Sequence, residues 1–573
     1  MLCYSPLWLS CSLTAGGDLI KPKPLILLGL VLLSVSFAAC AGQGDSILGV
    51  VTDGRGPIPG AHVRIRAGQQ VFLTDEDGQF RIDDLQADDP VTLTAWAPGY
   101  FIAALEEVHP GADPVQIQLS KFDDQDHPEY AWVSPFADAG DHENCENCHS
   151  DSSGTLPFEE WQSDAHANSL LNPRFLTMYA GTDMDGNQSP LTRIVSSRDY
   201  GPRPLPPNPH MAYYGPGYKL DFPLLQGNCS ACHAPAAAVN APYETDPLQI
   251  VDPGAEGITC DFCHKIWDVS IDEHSGLPYP NYPGVLSYEF RRPAEGHQFF
   301  AGPFDDVAPG EDTYTPIQTE SLYCASCHFG VFWDTVIYNS YGEWLDSPYS
   351  DPESGKTCQD CHMPPSGASH FALSEEGGLE RDPDRIASHR MLGVTDEAFM
   401  QEALDLDIDA TWESGVLEVE VQVANNNTGH KVPTDSPLRN VILLVGAFDE
   451  AGQPLVLLDG PRLPDWTGEV EGKSGHYAGQ AGRGYALILV EKWTGISPTG
   501  SYWNPVEVVS DSRLEPMEVD LSTYRFEAPI SGSVTVHTQL VFRRAFIELK
   551  EQKGWEDEDL VMAEQRLVLN RED

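Results

Sequence analysis

Ten of the thirteen cysteines in this 573-residue chain fall into five pairs, and in every pair two residues separate the thiols and a histidine follows the second. The motifs are Cys145-Glu146-Asn147-Cys148-His149, Cys229-Ser230-Ala231-Cys232-His233, Cys260-Asp261-Phe262-Cys263-His264, Cys324-Ala325-Ser326-Cys327-His328 and Cys358-Gln359-Asp360-Cys361-His362. Disulfides impose a distance between Cα atoms and no sequence spacing, so a disulfide framework does not account for the equal gaps. Paired thiols also build structural zinc sites, but zinc needs no histidine directly after the second cysteine. With 18 histidines in the chain, five out of five by independent placement has a probability on the order of 10⁻⁸, which decides against zinc and against a thioredoxin-like redox site.

Cys-x-x-Cys-His is the attachment pattern of a c-type haem. A single helical turn spaces the two sulfurs for the two vinyl groups of a porphyrin and turns the next side chain toward the iron. The chain is therefore expected to carry five c-type haems, with ten thioether links and His149, His233, His264, His328 and His362 as proximal iron ligands. Short intervals between the second and third motifs, and between the fourth and fifth, predict that those haems are near neighbours.

The histidines outside the motifs are candidates for the opposite face of each iron. Phe158, Trp161, Ala165 and His166 fall at i, i+3, i+7 and i+8, which predicts a helix whose buried face carries His166. His389 follows the fifth motif, and His430 lies in a turn-rich loop, Asn425 to Thr434, suited to presenting a side chain to a neighbouring domain. The stretches EEWQSDAHANS, CQDCHMPP, GGLERDP and NNNTGHKVPTDSPLR resemble a family of multihaem c-type cytochromes related to the tetrahaem carriers and octahaem oxidoreductases of nitrogen metabolism. That resemblance runs from about Tyr130 to the carboxy terminus and implies that His166, His389 and His430 are distal ligands. His297 and His370 are candidates for the two remaining irons, with His142 and His210 behind them. Met363 reads as packing, and Thr182 to Asn187 reads as an acidic turn, because it lacks the distant glutamate of a calcium loop.

The fold expected is multidomain: an N-terminal β-sandwich, a central, mainly α and irregular multihaem cytochrome c domain, and a C-terminal β-sandwich. Lys21 and Lys23 precede an apolar run, Leu25 to Ala39, too short for a spanning helix of about 20 residues and suited to a signal-peptide core. Phe37-Ala38-Ala39-Cys40 resembles a bacterial lipobox, with Phe37 in place of the usual aliphatic, and implies a lipid anchor at Cys40. Cleavage at Ala39-Cys40-Ala41 by ordinary signal peptidase, or an uncleaved anchor, are the other readings, and each puts the remainder across a membrane, in the periplasm or at the cell surface. Residues 1–20 stand apart from this signal, and translation starting near Leu19 or Ile20 would leave them out. Residues 46–121 alternate like the short strands of an antiparallel sandwich, with a hairpin turn at Asp75-Glu76-Asp77-Gly78. The pattern GVVTDGRGPIPGAHVRI followed by TDEDGQFRI resembles the carboxypeptidase regulatory-like domain, which implies a spacer or docking module without catalysis. Residues 122–404 lack strand alternation and would need planar cofactors to complete a core. Residues 405–573 regain strand periodicity at 417–424, 441–448, 454–458, 485–490 and 533–542, with a hairpin turn at Asp449-Glu450-Ala451-Gly452.

A formal charge of −54 argues against nucleic acid or an anionic membrane surface as partner and fits redox partner proteins with basic faces or a salty environment. The function expected is electron transfer outside the cytoplasm through the five haems. The alternative is an oxidoreductase acting on a small nitrogen or sulfur compound at one five-coordinate haem. Nitrite-reductase relatives often carry a Cys-x-x-Cys-Lys motif, which this chain lacks, but hydroxylamine-type enzymes keep Cys-x-x-Cys-His.

Overall fold

The computed structural model describes residues 46–571, apart from 84, 86–88, 138–143, 152, 200, 252–253, 295–298 and 414. The signal region with Cys40, and His142 and His297, lie outside the described residues. Alternating side chains of short strands face one side of a sheet, and seven such strands open the described chain: β1 (Ile47–Thr52), β2 (His62–Ile65), β3 (Phe72–Leu73), β4 (Gln79–Ile82), β5 (Val91–Trp96), β6 (Ala103–Val108) and β7 (Val115–Gln118). They form two sheets, ordered β4-β1-β7 and β3-β2-β5-β6, with one core that includes Val51, Val63, Phe80, Leu93 and Ile117. Gly78 closes the predicted hairpin turn at φ 71°, donating its N–H to the Asp75 carbonyl at 2.9 Å. A Cβ there would stand 2.8 Å from the Val51 carbonyl oxygen, so glycine is required twice over. The sandwich is not wholly antiparallel: β1 pairs antiparallel with β4 but parallel with β7. Parallel neighbours need a crossover rather than a tight turn, and the chain from β2 to β6 provides it.

Between Phe122 and Leu404 regular structure is short, and among the described residues the longest helix there is Pro173–Ala180. The motifs sit on short helices of one to two turns: Cys145–His149, Ser230–His233, Cys260–Cys263, Leu322–His328 and Cys358–His362. Helices this short do not hold themselves in water, so neighbours fix them. Thr259 Oγ1 accepts from the Phe262 N–H at 3.3 Å, and Thr357 and Asp360 form a reciprocal capping box. The helix expected to run through His166 stops at Gln162. Phe158 and Trp161 are buried on it, but Asp164 Oδ1 takes the His166 N–H at 2.8 Å, replacing the helical bond with a side-chain turn.

The C-terminal part has strands β8 (Asp405–Glu413), β9 (Val416–Ala424), β10 (Asn440–Phe448), β11 (Leu457–Asp459), β12 (Gly482–Glu491), β13 (Val506–Asp511), β14 (Val519–Glu527), β15 (Gly532–Arg543) and β16 (Leu560–Arg571). Two sheets, β8-β9-β14-β11 and β13-β12-β10-β15-β16, share a core built from residues such as Leu417, Val419, Val441, Leu443, Tyr524 and Leu540. The turn at Asp449 to Gly452 forms a hairpin, with Gly452 at φ 77° and Phe448 bridged antiparallel to Pro454, but the pairing stops at the Leu455 N–H, which donates to the Ala447 carbonyl at 2.8 Å. After it the chain crosses to the other sheet, where β11 pairs only with β14 at the edge. A helix, Ile547–Lys553, ties this part to the middle of the chain: Lys553 Nζ donates to the carbonyls of Thr177, Thr182 and Pro216 at 3.1, 3.0 and 2.5 Å. No helix among the described residues is long and apolar enough to cross a membrane.

Candidate cofactor-binding site

All ten motif cysteines and all five motif histidines line one connected cavity of about 2750 Å³. An ordinary small-molecule pocket measures about 300–1,000 Å³, so this space suits several large groups. The ten thiols are free, and among the described residues no three His, Cys, Asp or Glu side chains are grouped to hold a metal ion. Thiols of different motifs adjoin: Cys145 with Cys260, Cys232 with Cys327, and Cys324 with Cys358. The first motif therefore neighbours the third, and the fourth neighbours both the second and the fifth. The second and third motifs share an apolar cluster through Ala231 and Phe262.

Burial disfavours the imidazolium and holds His149, His264, His328, His362 and His430 below the ordinary histidine value. It pushes His233 and His389 down to about 4. Neutral imidazole is the form that binds a metal. Backbone carbonyls only accept, so the ring nitrogens facing them carry the proton: His149 Nδ1 donates to Phe371 O at 2.6 Å, His264 Nδ1 to Ala301 O at 2.8 Å, His362 Nδ1 to Leu392 O at 2.5 Å and His430 Nδ1 to Lys431 O at 3.0 Å. Each bond fixes the tautomer in which Nε2 keeps its lone pair. Burial also opposes charge on His166, yet the Asp164 carboxylate, 2.7 Å from Nδ1, outweighs it and raises the pKa.

Two of the added histidines stand opposite motif histidines. Ring centres of His166 and His328 are 6.4 Å apart, and those of His362 and His430 are 6.2 Å apart. His166 follows the first motif in sequence but faces the fourth in space. His389 lines the cavity too, where His264 and then His149 weigh on its charge. Its backbone N–H donates to Glu160 Oε2 at 2.7 Å, and Ser388 Oγ donates to Glu160 Oε1 at 3.0 Å, so a buried carboxylate on the helix Pro157–Gln162 positions the His389 loop. The His233 ring stacks on Phe175 at 3.9 Å and 9°. His370 and His210 do not line the cavity; His370 contacts Ser369 Oγ at 3.3 Å, and His210 is exposed. Met363 is at the wall. Glu160, Asp164 and Asp435, the last 4.0 Å from His328 Nδ1, lie in the stretches that carry the resemblance but were not singled out, because a lone acidic residue reads as part of a solvated face.

Residues 46–120 match the family model of the carboxypeptidase regulatory-like domain. No curated protein matches the chain. Among solved structures, a penta-heme cytochrome c552 from Thermochromatium tepidum is similar at 19% identity over 74% of this chain and 97% of that chain, with a TM-score of 0.49. The ASH / PapD-like domain of human CEP192 is matched at 8% identity over 30% of this chain and 83% of that chain, with a TM-score of 0.12. The regulatory-like domain is clamped against the segment that serves the first motif. Asp305 pairs with Arg64 at 2.6 Å and His62 at 2.8 Å. Asp306 accepts the Ala67 N–H at 2.7 Å and pairs with Arg381 at 2.9 Å. The Arg381 guanidinium lies over the rings of Phe304 and Phe371, 4.6 and 5.5 Å from their centres. Phe371 is the residue whose carbonyl holds His149, so contacts run unbroken from the regulatory-like domain to the first motif.

Proposed function

We propose that this chain is an extracytoplasmic multihaem c-type cytochrome that transfers electrons through five covalently bound haems. The five cysteine pairs hold the porphyrins by thioether bonds, and the five motif histidines are proximal ligands. Iron between two imidazoles, with bonds of about 2 Å, leaves ring centres about 6 Å apart. The His166–His328 and His362–His430 separations of 6.4 and 6.2 Å support His166 as distal ligand of the fourth haem and His430 of the fifth. His389 is assigned to the third or first iron; His297 is the remaining candidate, and His370, which stays outside the cavity, is set aside. When bound, haem supplies reversible one-electron chemistry at its iron. The chain's own part is to keep the imidazoles neutral, to fix their tautomers through carbonyl acceptors, and to exclude water with aromatic walls. In this reading residues 122–404 bear the haems, the modules at 46–121 and 405–573 flank them, and a signal within residues 1–40 directs export, with lipidation at Cys40 anchoring the protein to a membrane.

The convergence of five attachment turns on one cavity carries this reading. The test is mass spectrometry of the mature protein from a host that matures c-type cytochromes: a mass gain of five porphyrins is expected, and no gain would overturn it. A carrier closes both axial positions, whereas an enzyme leaves one open. Electron paramagnetic resonance of the oxidised protein separates the two. Uniformly low-spin signals support the carrier, and a high-spin ferric signal supports an oxidoreductase acting on a small nitrogen or sulfur compound. Incorporation of labelled lipid, lost in Cys40→Ser, tests the anchor.

A further inference from the structure

Arg174, Arg439 and Arg544, from the helix Pro173–Ala180, the residue before β10 and the residue after β15, line the cavity and are drawn together by one apolar cluster that holds Leu438, Ala545 and Trp555, the last with its ring centre 5.4 Å from the Arg174 guanidinium. In a chain of formal charge −54, three guanidiniums gathered in a cavity run against composition. Burial and then the repulsion of Arg544 and Arg439 bring Arg174 down to about 10, and burial and Arg439 lower Arg544. Two carboxylates answer the three cations. Asp557 pairs with Arg174, and Asp435 lies 3.6 Å from Arg439. Arg544, which has no salt bridge among the described residues, donates to the Val394 carbonyl at 3.0 Å. Arg174 Nε is buried without a hydrogen-bond partner. The set stands beside the second and fourth motifs, since Phe175 stacks on His233 and Asp435 neighbours His328.

We propose that Arg174, Arg439 and Arg544 form one binding site for an anion whose charge is spread over two or more oxygens, a carboxylate or a small oxyanion. Planar guanidinium forks match such groups in pairs of hydrogen bonds, and a half-buried cation without a carboxylate partner calls for a counter-charge. Two sources share this chemistry. One is a propionate of an attached haem, which rests on the electron-transfer reading; the other is a free oxyanion from solution, which does not.

The holo-protein, Arg439→Gln and Arg544→Gln, checked for haem by mass spectrometry and for fold by circular dichroism, are titrated calorimetrically with sulfate and with nitrite at constant ionic strength. Their midpoint potentials are then followed across the neutral pH range. Saturable binding that weakens about tenfold or more in either folded variant supports the site with a free oxyanion. No binding by the parent, with a new pH dependence of one potential in the variants, supports the site with a propionate, because a carboxylate stripped of its guanidinium titrates higher. Binding unchanged in the variants, or no binding together with an unchanged pH dependence, overturns the site. A parent protein without haem overturns the electron-transfer reading alone, and calorimetry then decides the anion site by itself.

Discussion

His166 owes its position to a carboxylate two residues earlier, which takes both its backbone N–H and its ring Nδ1. Replacing the imidazole in His166→Ala should turn one haem high-spin in electron paramagnetic resonance, and an unchanged low-spin spectrum would remove His166 from the ligand set. A second residue, Asp312, makes stability depend on pH. Burial raises it from 3.8 to about 6, against the Phe300 N–H that it accepts and the charge of Lys265, with Glu311 adding repulsion. Its folded value exceeds the unfolded one, so the native state holds more protons through that window and stability falls as pH rises from 3.8 to about 6. The whole difference is about 3 kcal/mol. Asp312→Asn keeps an acceptor for Phe300 and should remove that fall. Urea denaturation of both proteins at several pH values checks it, and parallel curves would assign the pH dependence elsewhere.

At the scale of elements, the attachment turns depend on caps and neighbours rather than on their own length. The same holds for the join between the regulatory-like domain and the first motif, where Arg381 and Asp306 have side chains 3% and 0% exposed. Asp306→Ala leaves that guanidinium buried and unpaired, a loss of about 3–5 kcal/mol. Asp306→Asn keeps an acceptor for the Ala67 N–H and should lose less. Chemical denaturation of the two variants tests this order. The same substitutions loosen Arg381 from Phe304 and Phe371, so the haem nearest His149 should show the larger spectral change; equal spectra in all three proteins would uncouple the domain from the first motif.

For the whole molecule, the excess of 54 negative charges sets how partners approach. Electron exchange with a small cationic metal complex should slow as ionic strength rises, and exchange with an anionic complex should quicken. Between about 0.01 M and 1 M salt the screening length shrinks from about 30 Å to about 3 Å, which spans the effect. Stopped-flow rates measure it, and rates indifferent to salt would show that the approach face is locally neutral. Arg174, Arg439 and Arg544 are a local exception to this field, and no average over composition reveals them.

Local features were legible in the sequence because each is a matter of spacing or period: the five Cys-x-x-Cys-His turns, the alternating strands of the regulatory-like domain, and most of the longer strands of the second β region. Features made by residues far apart in the chain were not. Strand β7 returns parallel to β1, and β11 leaves the sheet of the strand before it, because pairing depends on which edge is open when the chain arrives. The end of a helix at Gln162 turned on one competing side-chain hydrogen bond. The sequence by itself determined the spacing and the number of the Cys-x-x-Cys-His motifs, since that information lies within five residues each time. Only the tertiary structure decided that His166 faces His328, that His430 faces His362, that Glu160 holds the His389 loop, and that three arginines meet in one cavity. Such meetings follow from how buried surfaces and paired charges pack in three dimensions, and no local pattern of residues encodes them.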